Sequence, residues 1–554
     1  MKASQLYFKT YREDASNLSV NQRLLTRAAM IHQQSNGLFA ILPIGMKILS
    51  KIEMIIEQEL EKVGAQRMEV SLLSSKSVWD RAGRWNSYGP EMMRIKDRKE
   101  REYALLPTAE VEFLNLIDKD INSYKDFPFI LYQITEKFRD EIRPRFGLLR
   151  ARQFRMKDAY SFHSSESCLD NTFEKMKDAY VNIFNRLGLK FKICKADTGS
   201  IGGKDSLEFI VMTDAGEAEV LFCECGYTAN IEKSTNLVDE ESSVGEGLKE
   251  VHTPGMKKMS EVAKFLDKRT CEGIKCLVVK IENKFCLVVL RGDRDLNEAK
   301  MSALFGHFRY ANDDEIRSLN LDKGFVGPVK SSLEVIADEE AVIGTKYCGA
   351  NKEDMHFINC EYGRDWKASH IVDIRTSVKG DKCPECAKPM SYLKGIEVGH
   401  IFKIGNKYSE AMKSKFVDMD GKEKDILIAS YGIGVTRALA TIVEQNHDEG
   451  GITWPKEIAP YQMSIVISSI KREEQVKFAN DLYEQLTAKG IDVLLDDRDL
   501  SASAKRKDHK LIGVPTLVIV DKSIVDSVVS IEKKSGRNAV KFSSAEVLLK
   551  EIGL

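Results

Sequence analysis

The stretch Tyr132–Phe162 reads YQITEKFRDEIRPRFGLLRARQFRMKDAYSF. Period-2 alternation at its start sets Lys137, Arg139 and Glu141 on one face of a strand, with Tyr132, Ile134 and Phe138 on the other. A basic loop follows, carrying Arg143, Arg145, Gly147 and Arg150. The returning strand alternates again, with Phe154 and Met156 opposite Gln153, Arg155 and Lys157. A hairpin rooted in a core, with guanidinium groups on its open face, suits polyanions. The plainer alternative is a solvated edge kept soluble by its charges.

Working outward, 554 residues call for several domains. A formal net charge of −1 excludes a global nucleic-acid-binding polycation, so any RNA contact must come from local patches such as this loop. The start, MKASQLYFKTYREDASN, lacks the apolar core of a secretory signal. No apolar run approaches the roughly 18 residues of a spanning helix, and no membrane association is expected. The 11 cysteines, an odd number, read as reduced thiols, and a cytoplasmic protein is expected.

On the N-terminal side, residues 17–35 have helical spacing at Leu18, Leu24, Leu25, Ala28 and Ile31. The Pro43/Gly45 break precedes a long amphipathic helix with Ile48, Ile52, Ile55, Ile56, Leu60 and Val63 on one face, ended by Gly64. That pattern suits a dimer interface or an internal core helix equally. Strand-like segments around Met93 and Tyr103 lead to Pro107-Thr108-Ala109-Glu110. There, Thr and Glu either cap a helix or bind a small ammonium or iminium group.

On the C-terminal side a helix is expected over 166–188, then the glycine-rich ADTGSIGG. That turn lacks the Gly-Lys-Ser/Thr of a phosphate loop and reads as close backbone packing near a ligand. CECG at 223–226 and CPEC at 383–386 bracket a segment with its own periodicity, as the clasp of an inserted domain would. Cys223, Cys225, Cys383 and Cys386 make a tetrahedral zinc site or stay free thiols. After GIEVGHIFKIG, the strand ILIAS runs into Tyr431-Gly-Ile-Gly-Val-Thr-Arg437, which places an arginine at a helix start that already favours anions. Beyond the linker WPKEIAPYQ, alternating strands and helices predict a small α/β domain. Its Lys505, Arg506, Lys507 and Lys510 face either RNA or solvent.

Taken in order, these pieces resemble a prolyl-tRNA synthetase of the bacterial, insertion-bearing type over nearly the whole chain. GLFAILPIGMKIL is similar to motif 1 of class II synthetases, TEKFRDEIRPRFGLLRARQF to motif 2 and YGIGVTR to motif 3. GRWNSYGPEM, KDAYSF, ADTGSIGG, GIEVGHIF and KYSEAM are similar to signatures of the prolyl enzymes. The resemblance implies an α+β multidomain protein with an antiparallel class II catalytic core in two parts, 1–222 and 387–455. An α/β editing domain at 223–386 and an α/β anticodon-binding domain at 456–554 complete it. It further implies ATP-dependent attachment of proline to its tRNA through a prolyl-adenylate, with Mg²⁺ as cofactor, zinc at the cysteine pairs as an option, and a homodimer.

Carried over residue by residue, Arg139 meets the ATP α-phosphate and Arg437 the γ-phosphate, with Glu141 and Arg150 at the nucleotide. Glu141 is also a metal candidate. Thr108, Glu110, His400 and Ser430 line the proline pocket, with Glu110 the partner of the proline nitrogen. In the insertion, Lys275, Asp338 and His356, beside the loop from Gly324 to Pro328, are implied in hydrolysing mischarged alanyl-tRNA. Several positions depart from the family's usual residues: Ala109 and Val111 around the pocket, Leu207 before Glu208, Gln153 and Arg155 after the loop, and Gly273 in the editing domain. Two other readings compete. A threonyl- or glycyl-type synthetase would lack this insertion, and a catalytically silent RNA-binding relative would lose Arg139, Glu141 or Arg437 first.

Overall fold

The computed structural model describes residues 1–12, 18–199, 201–203, 205–238, 246–533, 536–541 and 545–552. The chain divides into one compact unit of 1–193, 200–217 and 395–554, and a second of 194–199 and 218–394.

An antiparallel sheet organises the first unit. Asp205–Met212 pairs with Ser391–Gly405, which pairs with Leu427–Gly434, and that strand pairs with Gln153–His163. Gln153–His163 then pairs with Phe129–Phe138 as the expected hairpin, Lys137 opposite Phe154 and Gln133 opposite Asp158. The short Ala65–Arg67 strand closes that edge in parallel. Helices Pro43–Lys62, Glu166–Arg186 and Val435–Gln445 cover one face through Ile48, Ile52, Phe173, Tyr180, Leu439 and Ile442. Pro43 starts the first of these at the position where a missing N–H costs nothing, and Gly64 follows its end at φ +77°. The opposite face carries a second core around Trp79, Phe113, Tyr160 and Tyr408.

The reading of 17–35 as one helix is corrected. The helix runs Val20–Arg27, Ala29 turns at φ +54°, and Ile31–Ser35 is a strand paired with Leu38–Ile41. Ile31 is buried as a strand residue, so one apolar side chain fitted both periods. Asn17 lies outside the described residues.

At the C-terminal end the strands Val493–Asp496, Met463–Ile467 and Thr516–Val520 pair in parallel, and Val528–Lys533 and Gly536–Lys541 extend the sheet antiparallel. The N-terminal segment lies on this fold. Lys2 bridges to Leu495 on the edge strand, Ser4 hydrogen-bonds Asp497, and Thr10 donates to Asp508 at 2.7 Å. The basic run expected to face RNA or solvent does so only in part. Lys505 is buried, donating to Ile467 O at 2.8 Å, while Arg506 and Lys510 both pair with Glu532.

In the second unit a sheet in the order Phe308–Tyr310, Ile274–Ile281, Lys284–Arg291, Glu334–Asp338, His370–Val372 packs against a smaller one. The smaller sheet holds Lys249–His252, Met355–Glu361 and Thr345–Gly349. Ile274, Val278, Val289 and Ala337 of the larger sheet share a core with Cys348 and Cys360 of the smaller.

Candidate active site

A cavity of about 300 Å³ opens on the sheet face away from the three long helices. Arg139, Glu141, Arg150, Thr108, His400, Ser430 and Arg437 all line it, whereas Glu110, 1% exposed, is reached from it through Thr108, which donates to its carboxylate. Hairpin alternation delivers the floor: Phe154, Met156, Asp158 and Tyr160 line the cavity, while Arg155 turns to the helical face and pairs with Glu53 and Glu136. Gln153 is also off the cavity, donating to Glu136 at 3.4 Å. The two unusual residues of the return strand therefore act on the helical side. Gly432 lets the backbone approach this floor, since a Cβ there would meet Met156 Cε at 2.5 Å.

At one end of the cavity the cations are held by carboxylates. Arg150 donates from Nε to Glu141 at 2.7 Å and reaches Glu217 at 3.2 Å, and Arg145 pairs with the same Glu217. Arg437, on the first turn of Val435–Gln445, donates to Leu149 O at 3.0 Å and Glu397 O at 3.1 Å. Arg139 lies over the Phe154 ring at 5.3 Å, and its Nε has no hydrogen-bond partner among the described residues. Glu397 stands among these groups. Partial burial pushes its carboxyl up, but the His400 hydrogen bond and the Arg437, His400 and Arg139 charges outweigh that and hold it at about 2. Glu208 and Glu397 lie 3.6 and 3.5 Å from His400 Nδ1, so this acidic corner offers a cation several oxygen ligands.

At the other end the pocket floor is a hydrogen-bonded chain. Lys137 Nζ meets Asp158 at 2.9 Å, Tyr160 donates to Asp158 at 2.8 Å, and the Ala109 N–H donates to Tyr160 Oη at 2.9 Å. Thr108 donates to Glu110, which opens the Glu110–Ile117 helix. His400 stacks on Phe402 with ring centres 3.8 Å apart. Ala109 and Val111 are fully buried in the neighbouring apolar core. Leu207 packs against the main core, opposite Ile401 in the sheet.

Sequence reading missed Glu397, Asp158, Tyr160 and Arg84. All four sat in signatures already singled out, GIEVGHIF, KDAYSF and GRWNSYGPEM. Asp158 and Tyr160 share the parity of Met156, which was the available signal.

The second unit arranges its candidates differently. Lys275 pairs with Leu290, and the parallel register carries that row on to Asp338, so both project from the face opposite the smaller sheet. Lys275 donates to Asp295 at 2.6 Å. Asp338 is 1% exposed and accepts the N–H groups of Glu340, Ile374 and Arg375, yet burial still pushes its carboxyl up to about 6. His356 belongs to the smaller sheet, where it bonds Thr253 Oγ1 at 2.6 Å and meets Phe325 edge-on. Burial lowers it to about 4. Gly324, at φ +98°, and Pro328 line separate cavities. Gly273 accommodates the Tyr347 ring, because a Cβ there would lie 2.4 Å from it. The cysteine pairs do come together. Cys223–Cys386 and Cys225–Cys383 sulfurs are 3.4 and 3.6 Å apart, and all four lie within 4.8 Å of one another.

Comparison with known proteins bears on this geometry. Residues 93–446 match the profile of the tRNA synthetase class II core domain (G, H, P, S and T), and 462–551 match the anticodon binding domain. A proline–tRNA ligase of Sulfurihydrogenibium sp. is 43% identical over 97% of this chain and 96% of its own length. That of Thermoanaerobacter pseudethanolicus is 41% identical over 99% and 98%. The crystal structure of a prolyl-tRNA synthetase from Cryptosporidium parvum, complexed with L-proline and AMP, superposes with a TM-score of 0.57 at 13% identity. That superposition covers 96% of this chain and 75% of the other, and it speaks to the fold alone.

Proposed function

This chain belongs to the proline–tRNA ligases among the class II aminoacyl-tRNA synthetases, and from that premise we propose how its residues divide the work. The enzyme joins proline to its tRNA through prolyl-adenylate, using ATP. The observation that carries the assignment of roles is the convergence of Arg139 and Arg150, from one hairpin, with Arg437, from a distant helix start, on one cavity that also holds Thr108 and His400.

In-line attack of the proline carboxylate on the α-phosphate asks for positioning and positive charge more than for covalent help. Arg139, with an unused Nε, takes the α-phosphate, and Arg437 takes the γ-phosphate. Arg150 exchanges part of its hold on Glu141 and Glu217 for the nucleotide. Thr108, Glu110, His400 and Ser430 take proline, with Glu110 accepting from its nitrogen. Class II synthetases use Mg²⁺ with ATP; the carboxylates of Glu141 and Glu397 would hold it, where it would offset phosphate charge. Proline-dependent exchange of pyrophosphate into ATP tests this reading. Exchange is expected with proline above all other amino acids, and a preference for another one overturns it.

The second unit, which contains the 223–386 segment, is read as the editing domain. A pocket sized for proline admits the smaller alanine, and missing methylenes supply only about 1–3 kcal/mol each, so a second hydrolytic site is required. Lys275 and Asp338 on one sheet face support it, with His356 and the 324–328 loop as the family's remaining candidates. Zinc fits the cysteine cluster: four thiols at mutual distances suited to tetrahedral coordination would hold it as a structural staple between the two passages of chain. Metal analysis of reduced protein should find about one zinc per chain; none would leave free thiols. The 462–551 fold is read as binding the tRNA anticodon. The exposed Met46 and Met54 on the Pro43–Lys62 helix support a homodimer, and the enzyme works in the cytoplasm with its tRNA.

A further inference from the structure

Arg84 is 4% exposed and lines the active-site cavity, yet neither Nη1 nor Nη2 has a hydrogen-bond partner among the described residues. A buried guanidinium that serves only the fold normally satisfies its donors. This one instead lies among the rings of Tyr88, Tyr408 and Trp79, with its central carbon 4.9, 5.2 and 5.9 Å from their centres. Its nearest carboxylate is Glu110, whose Oε1 lies 3.6 Å from Nη1. That contact transmits charge rather than a hydrogen bond.

Glu110 is incomplete in the complementary way. Thr108 donates to its Oε2, and Oε1 has no hydrogen-bond partner among the described residues. The other groups in its field are the hydroxyls of Tyr88 and Tyr160, Tyr408, whose hydroxyl donates to Ile201 O at 2.9 Å, and Lys407, whose ammonium is bound to the same carbonyl at 2.9 Å. A carboxylate that is 1% exposed needs a counter-charge when the pocket is empty. A neighbour that hydrogen-bonded Oε1 would consume the acceptor that a substrate needs. Arg84 supplies the charge from a distance and leaves the acceptor open.

Resting on the proline reading above, the geometry points to Arg84 as the positioning residue for Glu110: it fixes the carboxylate so that Oε1 is offered to the secondary ammonium of proline. The ring cage holds the guanidinium in place without drawing on Glu110.

The test is a double-mutant cycle on the full chain, read by pyrophosphate exchange as KM for proline and KM for ATP, with thermal melting of each variant as a check on folding. Arg84→Met is expected to raise the proline KM by roughly 30-fold and to leave the ATP KM within about 2-fold, the scale of coupling in a contacting pair. Arg84→Lys, which keeps the charge, recovers most of that loss. In a Glu110→Gln background, Arg84→Met adds almost nothing, because the group it acts through is gone. Multiplying losses in the double variant, an equal rise in the ATP KM, or no rescue by lysine would each overturn the role. If the wild-type chain instead prefers another amino acid, the proline reading itself fails, and the same cycle run with that amino acid still judges Arg84.

Discussion

Glu397 and Asp338 are acids near the working surfaces of the two units, and their surroundings drive them apart. Glu397 is held at about 2 because His400, Arg437 and Arg139 surround it and outweigh its desolvation. Asp338 is pushed to about 6 because burial outweighs the backbone N–H groups that it accepts. The first belongs to a convergent site, where cations from distant segments face one cavity. The second belongs to a framework in which the named polar groups are spread over two sheets. Convergence of opposite charges keeps a carboxylate ionised and ready to meet cations, whereas at Asp338 burial outweighs both the N–H donors and the Arg375 charge, and the carboxyl serves as a backbone clamp.

The widest separation of the two regions should appear in exchange kinetics. Arg139→Ala is expected to lower proline-dependent exchange by roughly 10³-fold, the scale of removing one preorganised donor. Lys275→Ala should leave exchange within about 2-fold and raise the accumulation of alanyl-tRNA in an aminoacylation assay. Comparable losses of exchange in both variants would break the comparison.

A smaller effect sharpens it within the second unit. His356 titrates near 4 in the fold against 6.5 when free, so its contribution is complete above pH 6.5 and is lost as pH falls toward 4. Asp338 titrates near 6 against 3.8, so stability declines as pH rises from 3.8 to 6. Each amounts to about 3 kcal/mol, and between pH 4 and 6 the slopes oppose each other. Urea unfolding of the full chain should therefore find the second unit nearly flat across that range. His356→Gln should leave stability falling toward pH 6, and Asp338→Asn should leave it rising. Flat profiles in both variants would contradict the two assignments.

Much of this was legible in the sequence, for physical reasons that differ from site to site. The motif 2 hairpin was readable on its return strand, where Phe154 and Met156 alternate with Gln153, Arg155 and Lys157, whereas the outgoing strand ends at Phe138, short of Arg139 and Glu141. Arg437 was readable because a strand ending in Gly-Ile-Gly before an apolar helix leaves few roles for a cation. Glu397 was not, because its importance lies in Arg139 and Arg437, partners from two other segments, which no local pattern announces. Arg84 hid for the same reason: its aromatic cage is assembled from Trp79, Tyr88 and the distant Tyr408. Lys505 looked like a surface charge and is buried, its ammonium satisfied by the carbonyls of Ile467 and Asp496, which no local pattern announces. The 17–35 helix failed where Ala29 adopts a left-handed turn that alanine rarely signals.

The N-terminal segment lying along the C-terminal fold has a practical consequence. Val493–Asp496 is the outer strand of that sheet, and the backbone of Leu495 is occupied by Met1 and Lys2. Excised at 462, the domain would show that strand bare, with unpaired amides ready to template on a second copy. Lys2 and its neighbours thus act as a gatekeeper against self-association, and a soluble excised module would have to carry them on a linker or bear a charge in their place.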